Sequence, residues 1–161
     1  MSFHATLTQL IDVLGATAEN LTEQALTQTA IGITTDSRSL RPGEVFLGLR
    51  GEKFDGHEFV SQAVKQGAIA AIVDFQFQAL DLPILRVKDT LEAYQAIAHW
   101  WRNQFKIPVI AITGSVGKTT TKELIAAVLS NYGNVLKTQA NHNNEIGVPK
   151  TLLELGQFHS Y

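Results

Sequence analysis

Residues 111–123 read AITGSVGKTTTKE, a glycine-rich turn that decides how the second half of the chain is interpreted. The preceding apolar run, VIAIT at residues 109–113, is typical of a central parallel strand covered on both faces. The pattern after the turn predicts a helix whose inward face carries Leu124, Ile125, Val128 and Leu129. Residues 135–138, VLKT, are the predicted next strand. The second half therefore predicts a strand–helix–strand unit of a parallel sheet.

The glycine turn departs from the common nucleotide-binding loop. Ile112 stands where that pattern has its first glycine, and only two residues separate Gly114 from Gly117. The residues alone allow a tight turn with a solvated lysine or a phosphate cradle. The flanking strand and helix favour the cradle, because free backbone N–H groups and the helix dipole attract negative charge there. The predicted nucleotide-binding residues are Gly114, Ser115, Val116, Gly117, Lys118, Thr119 and Thr120.

Three of these residues have distinct predicted roles in the cradle. Gly117 lets the backbone approach the phosphates closely, and Lys118 reaches the terminal phosphate oxygens. The hydroxyl of Thr119 completes the shell of a Mg²⁺ ion, so Thr119 is the predicted metal ligand.

Composition excludes several other classes of function. The 161 residues carry a net charge of −2 without any run of Lys and Arg, which argues against a nucleic-acid partner. There are no cysteines, so disulfides and thiolate metal sites are excluded, and no two histidines stand four residues apart as a helical metal site requires. The opening residues lack the charge pattern of a signal peptide, and no apolar run is long enough to span a membrane. We expect a cytoplasmic protein.

The first half predicts a small mixed domain. Leu7, Leu10, Ile11 and Leu14 have helical spacing, and short strands are predicted at residues 34–35, 45–47, 68–73 and 84–87. Asp55 and Asp89 are predicted to cap two further helices, the first ending at Gly67. The predicted fold is α/β, with a domain boundary near residues 82–88. Residues 1–83 are predicted to form the first domain, and residues 84–161 to begin a second, phosphate-binding domain with a parallel sheet, which the family resemblance described below implies is an ATP-binding domain.

Three ordered motifs resemble the Mur ligase family. ITGSVGKTTTKE is similar to the family's T-G-x-x-G-K-T-[ST] loop, which folylpolyglutamate synthases share. TDSR at residues 35–38, followed by residues 42–68, resembles the domain of Mur ligases that takes a UDP-linked muramoyl peptide, and this disfavours a folylpolyglutamate synthase. NHNNEIGVPKTLLEL at residues 141–155 resembles the members that add D-alanyl-D-alanine. Relatives that add diaminopimelate or lysine have a Thr-rich stretch there.

The resemblance implies two groups of substrate-binding residues. Thr35, Asp36, Ser37, Arg38, Gly51 and Lys53 would contact the UDP part of the substrate, and Asn141, Asn143 and Asn144 would face its muramoyl-peptide arm. Structural alternatives stay open: a simple turn at Asp36-Ser37, a surface ion pair at Arg38, and an Asn-rich turn at residues 141–144. For Asp55, the role of helix cap is favoured over ligand binding.

The resemblance also implies a reaction. ATP, with Mg²⁺ and with Lys118 and Thr119 as catalytic residues, would convert the carboxylate of UDP-N-acetylmuramoyl-tripeptide into an acyl phosphate, and D-alanyl-D-alanine would then attack it. The family has three domains, so the resemblance predicts that these residues are a fragment, inactive alone, of a monomeric enzyme. The competing hypothesis is a non-catalytic module that binds UDP-muramoyl peptide or nucleotide.

Overall fold

The computed structural model describes residues 3–51, 54–78, 81–139 and 142–161. Its first half contains seven strands, β1 to β7, and its six helices, α1 to α6, run through both halves. The strands are Ala5–Thr6, Thr17–Glu19, Thr29–Ala30, Ile33–Thr34, Val45–Leu47, Ala70–Asp74 and Ile84–Val87. The helices are Leu7–Leu14, Glu23–Leu26, Val60–Lys65, Thr90–Arg102, Lys118–Leu129 and Gly147–Leu153, and a 3₁₀ turn at Gly56–Phe59 precedes α3.

A five-stranded sheet in the order β2-β7-β6-β5-β4 organises the first half. Strands β4 to β7 are parallel, and β2 pairs antiparallel with β7 at the edge. Helices α1 and α4 cover one face of the sheet and α3 covers the other. The central strands β5 and β6 are apolar along almost their whole length, as burial on both faces requires. The predicted strands at 45–47 and 84–87 are confirmed, and the one at 68–73 is confirmed with its start shifted to Ala70.

Local capping interactions explain where the helices begin. Thr6 and Gln9 form a reciprocal capping box at α1, whose predicted helical face is confirmed. Asp89 accepts hydrogen bonds from the N–H groups of Leu91 and Glu92 and starts α4, as predicted. Asp55 accepts the N–H of His57 at the 3₁₀ turn, so its predicted capping role is also confirmed.

Helix α4 connects the two halves. Tyr94 is buried on it, and burial raises the pKa of this phenol to about 12. The indole Nε1 of Trp101 donates to the carbonyl of Leu155 over 3.1 Å, and α6 packs along the same helix. The boundary predicted after residue 83 stays a prediction. β7 lies beyond it but is hydrogen-bonded between β6 and β2, so the sheet of the first half extends past that boundary.

The two strands predicted in the second half do not form in the described part of the chain. Residues 109–113 and 135–138 belong to no strand there, so the predicted strand–helix–strand unit is absent from the described residues. The N–H of Leu136 donates to the carbonyl of Tyr161 over 2.9 Å, but this bond is not part of a strand pair. Helix α5 forms as predicted, but its predicted inward face is only half right. Ile125 and Leu129 line a cavity, whereas Leu124 and Val128 are exposed. The strand predicted at 34–35 lies at Ile33–Thr34. None of the described helices is long and apolar enough to cross a bilayer.

Candidate functional site

The glycine loop ends at the start of α5. Gly114 and Gly117 have φ values of +140° and +83°, which side chains other than hydrogen strongly disfavour. Gly117 is the N-cap of α5, and its carbonyl accepts the N–H of Thr121 over 2.9 Å. The N–H groups of a helix's first turn have no acceptor within the helix, so those of Lys118, Thr119 and Thr120 can donate to a ligand. The two glycines thus place a helix start with free N–H donors at the end of the loop.

The side chain of Lys118 folds back over this loop. Its Nζ donates to the carbonyl of Gly114 over 2.5 Å, which puts the ammonium beside the exposed loop. The backbone amides and this ammonium therefore lie on one side of the helix start. Such an arrangement suits an anion with several oxygens, because donors of two kinds can share it.

A cavity extends from the loop toward the segment before α6. It brings together predicted residues of two separate motifs, Lys118 and Thr119 from the loop and Asn143 from the amide cluster. The other described residues that line it are Ile110, Ile112, Lys122 and Thr138. Two other predicted residues, Lys53 and Asn141, lie outside the described residues. The described geometry thus brings the glycine loop and one member of the amide cluster to the same cavity.

Asn144 has a structural task as well as a predicted binding role. Its Oδ1 accepts the N–H of Gly147 over 2.8 Å at the start of α6. Gly147 packs so closely on His142 that a Cβ there would stand 2.5 Å from backbone carbon. Asn144 therefore stabilises a turn before α6, which is the structural alternative considered for this Asn-rich segment. Asn143 and Asn144 also line an open groove between α4 and α6.

The TDSR segment follows β4, at the carboxyl end of the strand. Arg38 donates to Asp36 through Nε (2.9 Å) and Nη2 (2.7 Å), so the surface ion pair considered for Arg38 exists. These hydrogen bonds lower the pKa of Asp36 to about 2, and the charge of Lys150 on α6 adds to the effect. Ser37 is buried and Thr35 is partly buried. The segment is thus held by its own contacts and lies within the electrostatic reach of α6.

A buried histidine holds the loop that follows β5, a feature that the sequence did not reveal. His57 is 4% exposed; its Nδ1 lies 2.6 Å from Oδ1 of Asp55, and its Nε2 accepts the N–H of Asp74 over 3.1 Å. Arg50 pairs with both carboxylates, at 3.1 Å and 3.3 Å. Gly51 closes the loop by donating to the carbonyl of Phe54 over 2.9 Å. No short-range signal announces this cluster, because Asp74 comes from the next strand.

Two family models match this chain, one in its first half and one in its second half. Residues 29–102 match the model described as Mur ligase family, catalytic domain, and residues 112–160 match that of the Mur ligase middle domain. The UDP-N-acetylmuramoyl-tripeptide–D-alanyl-D-alanine ligase of Synechocystis sp. is 61% identical over 131 residues, 80% of this chain and 29% of the relative. The ligase of the same name from Escherichia coli is 46% identical over 156 residues, 97% of this chain and 33% of the relative.

Solved structures give the same likeness. A crystal structure of MurF from Acinetobacter baumannii superposes with a TM-score of 0.90 at 37% identity, over 99% of this chain and 35% of that one. MurF ligase from Thermotoga maritima, in complex with ADP, gives a TM-score of 0.73 at 33% identity over 80% of this chain and 30% of that one. The chain therefore spans about a third of the length of the relatives that it matches.

Proposed function

Because the chain belongs to the Mur ligase family, we propose that it forms the substrate-anchoring and nucleotide-binding part of an ATP-dependent ligase. That ligase joins D-alanyl-D-alanine to UDP-N-acetylmuramoyl-tripeptide. The observation that carries the proposal is the cavity that the glycine loop shares with Asn143, since a ligase must bring its nucleotide and its acid substrate together.

The loop would hold ATP in the following way. The backbone amides of residues 114–120 bind the polyphosphate, and Lys118 exchanges the Gly114 carbonyl for phosphate oxygens. Thr119 suits a Mg²⁺ ion, because its hydroxyl belongs to the first turn of α5 and borders the cavity. The ion would supply charge neutralisation at the phosphate oxygens. A solved relative in complex with ADP supports nucleotide binding in this fold.

A carboxylate is a poor electrophile, so the reaction must activate it before an amine can attack. A carboxylate oxygen of the tripeptide attacks the γ-phosphorus of ATP, the bond to the β-phosphate oxygen breaks, and ADP leaves. The resulting acyl phosphate is then attacked at its carbonyl carbon by the free amine of D-alanyl-D-alanine. Inorganic phosphate departs, the amine loses a proton, and an amide remains. Lys118 serves this sequence by stabilising the charge on the transferred group.

The first half would anchor the other end of the substrate. In this proposal Thr35, Asp36, Ser37 and Arg38, with Gly51 and Lys53, contact the UDP moiety, while Asn141, Asn143 and Asn144 contact the muramoyl-peptide arm. Arg38 would exchange one of its bonds to Asp36 for a phosphate oxygen, an exchange that its exposure permits. We also propose a domain boundary between Arg102 and residue 108, a cytoplasmic location and a monomeric state.

A second candidate is a binding module without catalysis, and one observation favours it for the isolated chain. The segment before the loop is exposed and unpaired in the described structure, with Val109 and Ile110 57% and 53% exposed. Phosphoryl transfer depends on rigid positioning, so these residues alone should bind ligands without turnover.

Titration of the chain with UDP-N-acetylmuramoyl-tripeptide tests the proposal. We expect salt-sensitive binding that Arg38→Ala weakens severalfold. Arg41→Ala is the matched control, because Arg41 lies on the neighbouring turn and is exposed. Equal binding of a muramoyl tripeptide that lacks UDP, or no binding at all, would contradict the assigned role of the first half.

A further inference from the structure

The charged side chains among the described residues that line the cavity beside the glycine loop are two lysines. Lys118 and Lys122 stand four residues apart on α5, on the same face, and both border the cavity. Among the described residues that line it, none is acidic. Two ammonium groups on one helix face repel each other, so an anion between them would relieve that repulsion. Lys118 belongs to the loop motif, but nothing in that motif requires Lys122.

The position of Lys122 is fixed by its contacts. Its side chain is 19% exposed, and Nζ donates over 2.6 Å to the carbonyl of Thr138, which also lines the cavity. Nζ also lies 3.3 Å from Oε1 of Glu123, but this carboxylate is shared with Lys137, which contacts its other oxygen. One carboxylate thus serves two lysines, and the ammonium of Lys122 keeps donor capacity for another partner.

We propose that Lys122 is a second ligand-contacting cation of this site and binds the terminal phosphoryl group of a nucleoside triphosphate. The inference rests on the proposed function and adds a residue to it. Lys118 reaches back toward Gly114, whereas Lys122 lies one helical turn further along α5, beside Thr138. A polyphosphate that enters across the loop amides therefore meets Lys122 last, with its terminal group. The expected consequence is discrimination between triphosphate and diphosphate.

The test compares the 161-residue chain with variants in ¹⁵N NMR titrations that extend to millimolar ligand. The probes are AMP, ADP, ATP and inorganic tripolyphosphate, each with Mg²⁺. Lys122→Met should weaken the binding of ATP and tripolyphosphate about tenfold, because a charged hydrogen bond is lost, and that of ADP less than twofold. Lys122→Arg should restore most of the affinity for ATP.

Lys137→Met is the matched control, since it removes the other lysine that contacts Glu123. It should leave the affinity for ATP unchanged. A purely structural role for Lys122, in which it only ties Thr138 to α5, predicts an equal loss for all nucleotides, and that result would overturn the inference. Should Lys122→Met unfold the helix, the Nζ resonance of Lys122 in the wild-type chain gives an independent readout. It should shift with ATP and tripolyphosphate but not with ADP, and a shift with ADP alone or with neither would also overturn the inference.

The outcomes separate the inference from the proposal beneath it. ATP-induced shifts at the amides of residues 114–120, combined with an unaffected Lys122→Met variant, would reject Lys122 and keep the nucleotide loop. No shift at these amides at millimolar ATP would reject both.

Discussion

The strand β6 and the segment at residues 109–113 are both apolar runs, yet they have opposite surroundings. Ile72 and Val73 in β6 are fully buried between two hydrogen-bonded neighbours. Val109 and Ile110 are 57% and 53% exposed, and their segment has no backbone partner in the described structure. An apolar run therefore indicates which residues can form a central strand, but partner strands decide whether they do.

The same difference separates the two parts of the candidate site. The TDSR segment and the loop held by His57 are attached to a complete sheet, so their positions are fixed by long-range contacts. The glycine loop depends on local geometry, namely two glycines with positive φ and the start of α5. We therefore expect the first half to keep its binding geometry independently and the second half to gain rigidity from added partners.

The largest effect should come from truncating a buried side chain of β6, whereas the same truncation on the exposed run at residues 109–113 should have little effect. Ile72→Ala should lower the free energy of unfolding by about 2–5 kcal/mol, because it leaves a cavity in a packed sheet. Ile110→Ala should change it by less than about 0.5 kcal/mol, since that side chain is half exposed. Urea denaturation followed by circular dichroism measures both. Equal losses would show that residues 109–113 pack as tightly in solution as β6.

A smaller effect is expected at the start of α4, the helix that joins the two parts. Asp89→Ala removes the acceptor for the N–H groups of Leu91 and Glu92 and should cost about 1 kcal/mol in thermal unfolding. Asp89→Asn is the control, because an amide oxygen can still cap the helix and should retain most of the stability. If the two variants lose the same stability, the charge of Asp89 matters more than its capping bonds.

The smallest effect concerns the ion pair in TDSR. The hydrogen bonds from Arg38 lower the pKa of Asp36 from its ordinary 3.8 to about 2. Because the folded-state pKa lies below the unfolded value, the pair's contribution to stability is present above pH 3.8 and is lost as the pH falls toward 2. Its size is small, since both side chains are solvent-exposed. Arg38→Ala should return the pKa of Asp36 toward 3.8, and carboxyl NMR titration of this variant measures it. An unchanged pKa would assign the shift to another group.

Local signals made much of the fold predictable. The apolar spacing of α1, the caps at Asp55 and Asp89, and the apolar strands β5 and β7 all follow from neighbouring residues. For the candidate site, the residue pattern predicted the glycine turn before α5, and the binding roles of the loop and of Asn143 stay predictions. Other features depend on residues that are distant in sequence. They include the contact of His57 with Asp74 and that of Lys122 with Thr138. They also include strand pairing, which the segments at 109–113 and 135–138 lack in the described structure. Such contacts depend on chain topology, which residue patterns do not encode locally.

A hybrid ligase tests the central claim most directly. In it these 161 residues replace the aligned third of the Escherichia coli relative, and formation of UDP-muramoyl pentapeptide from ATP, UDP-N-acetylmuramoyl-tripeptide and D-alanyl-D-alanine is measured with phosphate release. We predict that the hybrid is active, that Lys118→Ala lowers its turnover by about 10²–10³, and that the 161 residues alone give none. A folded hybrid without activity, or wild-type turnover with Lys118→Ala, would contradict the claim that this chain carries the nucleotide site of a D-alanyl-D-alanine-adding ligase.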